Sequence, residues 1–395
     1  MHHERWQLEC GDAMPLIGIH AALLPDGRVL TFGSDQRGEQ GLHKIYDIWD
    51  PKTGVHLTTT DAIATDEFCS AEILDPITDD LVIAGGDGRP QGNVNKGVVD
   101  VNTFDYRSGG LTTSPTGHLN FPRWYGSLIS LGGGYLLAIG GENSGIPLFP
   151  VGTGTPELYT PGQGWTALPG AYSADIATNC LYPRIWESSN GKIFGFSTGA
   201  FNAGTVFTIT TTGRGSVTNL GHTPFASETY DPTAMFAPDK ILTLDKNGTA
   251  WIMDISGAAS TFTRTSGVGQ NRAWSNLTDL ADGTVLLTGG SNGLGPSGQG
   301  NVATETNNAE IWDPATGQWT NDASAAIGRF YHSNTLLLPD GTVLSTGGGA
   351  PGPLTNLNSE IYTPGYLLNA DGTLRTDRPV ITSVPKTLQR VRSLR

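Results

Sequence analysis

One phrase recurs along this chain and limits the folds that it can adopt. An apolar run is followed by a turn at Asp-Gly or a substitute, by a second apolar run, and usually by a pair of glycines. Clear copies begin at His20, Tyr125, Trp274 and His332, and weaker copies begin at Cys69, near Arg184 and near Asp231. Each copy predicts two antiparallel strands joined by a tight turn. The copies follow one another at steps of 43 to 59 residues.

A third predicted strand that ends in a turn follows four of the seven copies, as in YDIWDPKTG and EIWDPATGQW. A period of about 50 residues, with a glycine pair after the second strand, is typical of kelch repeats, in which each repeat forms one four-stranded blade. Seven copies therefore predict an all-β, seven-bladed kelch-type β-propeller. Two stacked sandwiches are the disfavoured alternative, because sandwiches show no such repetition of a phrase.

The composition agrees with short strands and excludes several functions. The 54 Gly and 24 Pro among 395 residues argue against helical bundles and coiled coils. A formal net charge of −14 argues against nucleic-acid partners, because neutralising phosphates needs a basic surface. No apolar run of about 18 residues is present, so no membrane segment is predicted. Three widely spaced cysteines disfavour a disulfide framework, and we expect a monomer.

The propeller predicts where chemistry can lie. The first strand of each blade lines the central channel, and the segment before it opens at one mouth. Counting back nine residues from the turn glycine reaches Tyr125, Trp274 and His332, so we expect these three side chains at the same mouth. His20 and Cys69 occupy the same segment of blades 1 and 2, in a register that the pattern does not settle. Tyrosine, tryptophan, histidine and cysteine together at one mouth are unusual for a purely structural channel.

Three segments resemble the metal-site blades of the galactose oxidase and glyoxal oxidase group. They are EFCSAEILDPITDDLVIAGGD, FPRWYGSLISLGGGYLLAIGG and GRFYHSNTLLLPDGTVLSTGGG, in predicted blades 2, 3 and 7. That group contains mononuclear copper radical oxidases built on a seven-bladed kelch propeller. The resemblance runs from about His20 to Pro385. It implies a secreted or extracytoplasmic protein, although the start, MHHERWQLE, lacks the apolar core of a signal peptide.

The resemblance also implies a role for individual residues. Cys69 would be joined by a thioether to the ring of Tyr125, which would be both a copper ligand and the radical site. Tyr331 would be the axial tyrosinate, and His332 would be an equatorial nitrogen ligand. The implied cofactors are thus one copper ion and a Cys69–Tyr125 thioether-linked tyrosyl radical. The implied partners are a small alcohol, aldehyde or carbohydrate substrate and O₂.

The C-terminal part resembles the family's passage into a β-sandwich, in NSEIYTPGYLLNADGT followed by RPVITSVP. In the family, a loop of that sandwich supplies a second equatorial histidine. The chain ends at Arg395, so we expect a truncated sandwich, an absent ligand, weakened copper binding and little H₂O₂. The predicted organisation is a lead-in at 1–19, the propeller at 20–366, and a linker with a sandwich stub at 367–395.

Elementary chemistry agrees with these residue types. Oxidising an alcohol by two electrons needs a two-electron store, whereas a single copper cycles through one. A phenol conjugated to sulfur is easier to oxidise than plain tyrosine, and imidazole suits copper well. Blades 2 and 3 are neighbours, so Cys69 and Tyr125 can approach each other. Tyr331 and His332 are consecutive and would point to opposite faces of a regular strand, so the strand entry must be bulged or irregular.

Each residue also has a simpler interpretation. Cys69 alone would be an inert buried thiol, and Tyr125 alone would be a hydrogen-bonded channel filler. Tyr331 and His332 alone would be a polar pair in a loop. The four residues together favour the copper-type site.

Four further residues are weaker candidates. Trp124 and Trp274 either shield the radical from solvent or pack between blades. Arg272 either lines a substrate pocket or forms a salt bridge. His20 either lends a nitrogen to the metal or simply lines the channel.

Three functions compete at this stage. The first is oxidation of a primary alcohol or hydrated aldehyde, in which Tyr331 takes the hydroxyl proton and the Tyr125 radical abstracts hydrogen from carbon. The second is a non-catalytic kelch propeller that binds a carbohydrate or a protein. The third, a glycosidase, is weaker, because Asp66 and Glu67 offer acids from one blade only. The substrate itself is not predicted, because specificity depends on variable loops.

Overall fold

The computed structural model describes residues 5–7, 13–40, 45–60, 63–88, 95–115, 117–143, 152–199, 202–378 and 383 of the chain. Within these ranges the chain forms seven four-stranded antiparallel sheets. The first strand of each sheet faces the centre, and inner strands of neighbouring sheets contact one another, including those of the last and first sheets. The predicted all-β, seven-bladed propeller is confirmed.

The first strand of the chain is β1 (Arg5–Gln7). Blade 1 contains β2 (His20–Leu23), β3 (Val29–Phe32), β4 (Ile45–Asp50) and β5 (Val55–Thr60). Blade 2 contains β6 (Ala71–Leu74), β7 (Leu81–Ala84), β8 (Val101–Asp105) and β9 (Gly110–Thr113). Blade 3 contains β10 (Trp124–Leu131), β11 (Tyr135–Glu142), β12 (Glu157–Thr160) and β13 (Gly164–Ala167).

Blade 4 contains β14 (Arg184–Glu187), β15 (Ile193–Phe196), β16 (Ala203–Thr210) and β17 (Ser216–Ala226). Blade 5 contains β18 (Thr233–Ala237), β19 (Lys240–Leu244), β20 (Ala250–Asp254) and β21 (Thr261–Arg264). Blade 6 contains β22 (Ala273–Asp279), β23 (Val285–Ser291), β24 (Asn308–Asp313) and β25 (Gln318–Ser324). Blade 7 contains β26 (Ser333–Leu337), β27 (Val343–Gly347) and β28 (Ser359–Thr363).

Helices are few in the described ranges. One α-helix, α1 (Ala174–Thr178), precedes blade 4, and the Ser173 side chain caps it by accepting a hydrogen bond from the Ile176 amide. Short 3₁₀ turns span Pro169–Ala171, Val302–Thr304 and Gly365–Leu367. No described helix is both long enough and apolar enough to cross a membrane.

The ring is closed by the N-terminal segment. Strand β1 pairs antiparallel with β28, so that Arg5 lies opposite Thr363 and Gln7 opposite Ile361. The repeat predicts a lead-in at residues 1–19, whereas residues 5–7 complete the seventh blade as its fourth strand. Pairing here covers the edge of β28, whose backbone groups would otherwise lack partners. Residues 379–382 and 384–395, which include most of the expected sandwich stub, lie outside the described ranges.

The core lies between neighbouring blades rather than at the axis. In the first of these interfaces, Leu30 and Phe32 of blade 1 pack with Leu81, Ile83 and Phe104 of blade 2, all nearly inaccessible to solvent. The second strands β3 and β7 are buried along their whole length, because both of their faces contact another blade. Each blade therefore depends on its neighbours to bury its apolar faces, and the packing holds the inner strands in place around the channel.

Three blades contain the same buried ion pair between the entry of the inner strand and the third strand. These blade ion pairs are Arg123–Glu157 at 2.9 Å, Arg272–Glu310 at 2.8 Å and Arg329–Glu360 at 3.5 Å. Each guanidinium also donates to a glycine carbonyl of the second strand, namely that of Gly140, Gly289 or Gly347. The blade ion pairs thus tie the first three strands of blades 3, 6 and 7 together where the channel opens.

Candidate metal centre

Five residues at the entries of inner strands share an uncommon backbone conformation. These mouth residues are Cys69 (φ 55°), Tyr125 (62°), Tyr182 (45°), Trp274 (64°) and His332 (64°). Left-handed φ values cost side chains other than glycine about 1–3 kcal/mol each and are concentrated at functional sites. They occur in blades 2, 3, 4, 6 and 7. The irregular strand entry expected at His332 is therefore present, and it recurs around the ring.

The glycine pair of the repeated phrase explains how neighbouring blades meet at this level. The second glycine of a pair donates its N–H to a carbonyl at the entry of the next blade, as Gly86 does to Arg123 (3.0 Å) and Gly290 to Arg329 (2.7 Å). The first glycine has no room for a side chain, since a Cβ on Gly85 would lie 2.1 Å from the Arg123 carbonyl oxygen. The glycines therefore allow two backbones to approach where the mouth residues begin.

The mouth residues of blades 2, 3 and 4 are joined through their backbones. The Tyr125 amide donates to the Cys69 carbonyl at 2.9 Å, and the Tyr182 amide donates to the Tyr125 carbonyl at 2.8 Å. These bonds cross from blade to blade rather than along a sheet. They place residues that are more than 50 positions apart in the sequence side by side at one end of the channel.

Cys69, Tyr125, Tyr331 and His332 converge at this point. The Tyr125 and Tyr331 hydroxyls are in direct hydrogen-bond contact. The Cys69 sulfur lies 3.8 Å from Nε2 of His332, and the imidazole stacks on the Tyr331 ring with 3.6 Å between centroids. Tyr125 packs against the apolar cluster that contains Cys69, which is fully buried. Two phenols, an imidazole and a thiol thus share one small volume.

The His332 imidazole is oriented by its backbone neighbour. Its Nδ1 lies 2.7 Å from the Gly349 carbonyl oxygen, which can only accept, so Nδ1 carries the hydrogen. In the neutral ring, Nε2 then carries the lone pair, 3.8 Å from the Cys69 sulfur. Burial lowers the pKa of His332 to about 3, which keeps the ring neutral. A histidine held through Nδ1 by a backbone carbonyl is the usual arrangement of a metal ligand.

Electrostatics at the site favours neutral groups unless a cation is present. Burial raises the pKa of Cys69, of Tyr125 and of Tyr331 above their ordinary values. A metal ion would reverse this preference, because a positive charge stabilises phenolate. Phenol oxygens and an imidazole nitrogen suit transition-metal ions. The phenols are essential to such a site, because no group of three His, Cys, Asp or Glu side chains among the described residues could hold a metal ion.

Aromatic rings enclose the two phenols. Trp124 stacks on Tyr125 with 4.2 Å between centroids and 16° between planes, and Tyr182 lies on the same ring at 4.9 Å. Trp274 lies 4.6 Å from the Tyr331 ring, and its indole N–H donates to the Gly298 carbonyl at 2.9 Å. Both predicted tryptophans therefore contact the candidate site directly, one on each tyrosine.

A cavity of about 450 Å³ opens beside the phenols and connects them with the channel. Its wall includes Tyr125, Tyr331, His332, Trp274 and His20. The volume falls in the range of small-molecule sites, and the wall combines aromatic faces with a few polar groups, as such sites do. The arrangement can hold a metal ion on three donors and admit a small substrate next to it.

Two predicted positions differ from expectation. His20 lies two residues beyond the mouth position, which in blade 1 is Gly18, nine residues before the turn glycine Gly27. Its Nδ1 pairs with Glu72 at 2.7 Å, and its ring stacks on Phe32. It lines the cavity, but deeper in the channel than His332.

Arg272 does not line the cavity, contrary to the pocket interpretation. Its guanidinium is buried in the blade 6 ion pair with Glu310 and also donates to the Gly289 carbonyl. Asp66 and Glu67 are buried and are likewise absent from the cavity wall. The acids that suggested a glycosidase are therefore not at the cavity, and among the described residues the carboxylates on its wall are Glu72, which pairs with His20, and Asp231.

Sequence reasoning missed Tyr182, the mouth residue of blade 4. The same count that identified Tyr125 would have found it, because Tyr182 lies nine residues before the turn residue Gly191. Because blade 4 lacks the glycine pair of the repeated phrase, its copy was located from the apolar run that begins near Arg184. The count from a turn glycine is therefore a better guide to the mouth than the start of the apolar run.

No protein-family model matches the chain. Two galactose oxidases from Gibberella zeae are 28% identical to it over 402 aligned positions, which cover 93% of this chain and 56% of theirs. The chain thus spans little more than half the length of these relatives.

Two solved structures are also similar. One is a fungal alcohol oxidase, described as having catalytic diversity among the AA5 family and solved in complex with copper. It matches with a TM-score of 0.76 at 21% identity, over 96% of this chain and 80% of the oxidase. The second, YjhT, matches with a TM-score of 0.50 at 12% identity, over 84% of this chain and 90% of its own.

The chain is therefore a β-propeller protein of the seven-bladed type, with a cluster of redox-capable side chains at its mouth. More particularly, it is a homologue of galactose oxidase, and the resemblance inferred from the three motifs is confirmed at that level. The similarity at 21% identity supports the fold and nothing finer.

Proposed function

We propose that this protein is a copper radical oxidase that converts a primary alcohol or a hydrated aldehyde, with O₂, into an aldehyde or an acid, respectively, and H₂O₂. The observation that carries the proposal is the convergence of Cys69, Tyr125, Tyr331 and His332 beside one cavity. The homology to galactose oxidase supports the reaction class, and the fungal alcohol oxidase of similar fold was solved with copper.

Copper would be held by Tyr125, Tyr331 and His332. The Nε2 lone pair of His332 and the two phenol oxygens, which contact each other, fit copper, because imidazole nitrogen is a favoured donor for this metal. When bound, copper supplies one of the two electron equivalents that the reaction needs. The second is assigned to Tyr125, whose ring lies in the apolar cluster of Cys69.

The chain's own residues then have distinct tasks. A thioether between Cys69 and the Tyr125 ring would make that phenol easier to oxidise, and the stacked Trp124 ring would exclude water from it. Tyr331 lines the cavity and can accept the proton of a substrate hydroxyl. Trp274 lies against Tyr331 and would shape the substrate's approach.

His20 is proposed to contact substrate rather than the metal, and Arg272 is assigned no role at the site. His20 lines the cavity and is held by Glu72, so a polar group entering the channel would meet it. Arg272 is occupied by its ion pair with Glu310. For the reaction as a whole, two hydrogens leave the alcohol carbon and oxygen, and O₂ takes up two electrons and two protons to become H₂O₂.

The test is a peroxidase-coupled H₂O₂ assay on copper-loaded protein, with primary alcohols and small aldehydes as substrates. We expect weak, copper-dependent H₂O₂ formation that Cys69→Ala and His332→Ala both lose. Cys180→Ala is the matched control, since Cys180 is the other described buried free cysteine and lies outside the cavity wall.

A copper titration of the same samples accompanies the assay. Copper bound at one equivalent, with H₂O₂ formation unchanged in Cys69→Ala, would contradict the role of the sulfur. No copper binding in the wild-type chain would contradict the oxidase proposal and favour the non-catalytic binding propeller.

A further inference from the structure

Tyr182 contacts the candidate site but is not one of the three proposed metal ligands. Its ring lies 4.9 Å from the Tyr125 ring, tilted by 42°, on the channel side of blade 4. Its own backbone is left-handed, with φ at 45°. A β-strand entry with a bulky side chain in this conformation is strained, and such strain persists where the surroundings require it. The contacts of Tyr182 therefore indicate which neighbouring groups it holds in place.

Three hydrogen bonds close a circuit through Tyr182. Its amide donates to the Tyr125 carbonyl at 2.8 Å, and the Tyr125 amide donates to the Cys69 carbonyl at 2.9 Å. The Tyr182 hydroxyl then reaches back across the mouth and donates to the Ser70 carbonyl at 3.2 Å. Ser70 directly follows Cys69, so the circuit returns to the residue beside the sulfur.

This circuit restrains both partners of the proposed thioether at once. The backbone bonds set the separation of the Cys69 and Tyr125 backbones. The Tyr182 ring limits movement of the Tyr125 ring on one face, while Trp124 stacks on that ring with 4.2 Å between centroids. The hydroxyl bond ties the blade 4 side of the mouth to the Cys69 segment of blade 2. A rotation of the Tyr125 ring away from Cys69 would have to displace Tyr182.

We propose that Tyr182 is a positioning residue that holds the Tyr125 ring at the Cys69 sulfur and thereby controls how fast these two side chains become covalently joined. The inference rests on the proposed function, which requires that bond. In the joining reaction an S–C bond forms between Cys69 and the Tyr125 ring carbon, and the S–H and C–H bonds break. The two protons and two electrons released reduce O₂, the oxidant of the proposed reaction, to H₂O₂.

The rate of cross-linking in copper and O₂ measures this role. Peptide mass spectrometry would follow the joined Cys69 and Tyr125 peptides, which together weigh two hydrogens less than the separate ones. Tyr182→Phe removes only the hydroxyl bond to Ser70, whereas Tyr182→Leu also removes the ring. Tyr230→Phe is the matched control, because Tyr230 also lines the cavity but contacts Trp274 instead of Tyr125.

We expect cross-linking to slow about two- to tenfold in Tyr182→Phe, as loss of one net hydrogen bond would produce. In Tyr182→Leu we expect cross-linking to slow by more than about tenfold, because small misplacements of reacting groups have large effects on rate. Tyr230→Phe should cross-link at the wild-type rate. Urea unfolding of each variant separates positioning from stability, since Tyr182→Phe should remain folded under assay conditions.

Two results would overturn the inference alone. One is that the wild type cross-links and that both Tyr182 variants cross-link at the same rate as the wild type. The other is slowing that matches the unfolded fraction of each variant, which would make Tyr182 a packing residue only. A wild-type chain that binds copper and never cross-links would overturn the proposed function together with the inference, and is recognised because the wild type itself fails.

Discussion

The blade ion pairs and the mouth residues lie within a few residues of one another, yet they repeat in opposite ways. The blade ion pairs keep the same side chains, Arg with Glu, in blades 3, 6 and 7. The mouth residues keep the same left-handed backbone in five blades and change the side chain from cysteine to tyrosine, tryptophan and histidine. In this propeller, constant side chains maintain the blade, and variable side chains on a constant backbone form the candidate metal centre.

The difference follows from what each position contacts. Each arginine of a blade ion pair pairs with a glutamate and donates to carbonyls of its own sheet, so every blade that uses it needs the same groups. Four of the five mouth residues instead line the shared cavity, and the fifth, Cys69, lies in the apolar cluster that Tyr125 contacts. Repetition around the axis therefore brings different side chains from several blades to one place.

The largest effect is expected from breaking an ion pair. Glu157→Ala leaves the Arg123 guanidinium, which is 2% exposed, without its carboxylate. Removing one partner of a buried pair typically costs about 3–5 kcal/mol, because a charge stays buried and unpaired. Urea denaturation should show this loss in the free energy of unfolding. A loss below about 1 kcal/mol would mean that the pair does not maintain the blade.

The mouth should respond in the opposite way. His332→Ala is expected to weaken copper binding by more than about 100-fold, since losing a ligand exceeds the 10–100-fold typical of residues behind ligands. The loss in the free energy of unfolding should be smaller for His332→Ala than for Glu157→Ala. Competitive copper titration provides the affinity, and the exposed His222→Ala is the control. Equal copper affinity in His332→Ala and His222→Ala would contradict the assignment of the ligand.

A turn glycine and a glycine of a pair can be compared by the same substitution to alanine. Gly283, in the turn of blade 6, has φ at 85° and open space around it, so Gly283→Ala should cost about 1–2 kcal/mol from the backbone alone. Gly85→Ala should cost about 1–3 kcal/mol more, because its Cβ would collide with the Arg123 carbonyl. Urea denaturation of both variants measures the difference. Equal losses would show that the close approach between blades is adjustable.

The smallest effect is expected at the surface pair Lys240–Asp254 on β19 and β20. The hydrogen bond from Lys240 is the main cause that lowers the pKa of Asp254 from 3.8 to about 2. A lowered carboxyl pKa stabilises the fold above pH 4, and the contribution disappears as the pH falls through about 2. Both side chains are substantially exposed, so Lys240→Ala should cost no more than about 1 kcal/mol. Thermal melts should show a wild-type advantage at pH 5 that vanishes near pH 2.

Local patterns predicted the blades well and their closure poorly. Apolar runs, turn residues and glycine pairs act over a few residues, and together these identified all seven blades. The pairing of β1 with β28 joins residues more than 350 positions apart, and no local pattern announces it. Of the two interpretations of Arg272, the structure shows the salt bridge, but its partner Glu310 lies on the third strand, 38 residues away, and no local pattern identified it. Ring closure and ion pairing are long-range properties that one phrase does not encode.

At the site, the prediction worked where a turn glycine set the register. Tyr125 and His332 lie nine residues before theirs, and both adopt the left-handed conformation. In blade 1 the same count reaches Gly18, which has no side chain to attract notice, and His20 was assigned to the mouth in its place. Tyr182 was missed although its turn was visible. The contacts among these residues depend on the angle between blades, which the sequence pattern leaves open.

Anomalous X-ray diffraction at the copper absorption edge, from crystals of copper-loaded protein, tests whether the mouth of the propeller is the metal centre. We expect one strong peak within bonding distance of the Tyr125 and Tyr331 hydroxyl oxygens and of His332 Nε2. A peak confined to another part of the molecule, with these three groups still hydrogen-bonded only to protein, would contradict the assignment of the mouth as the metal centre.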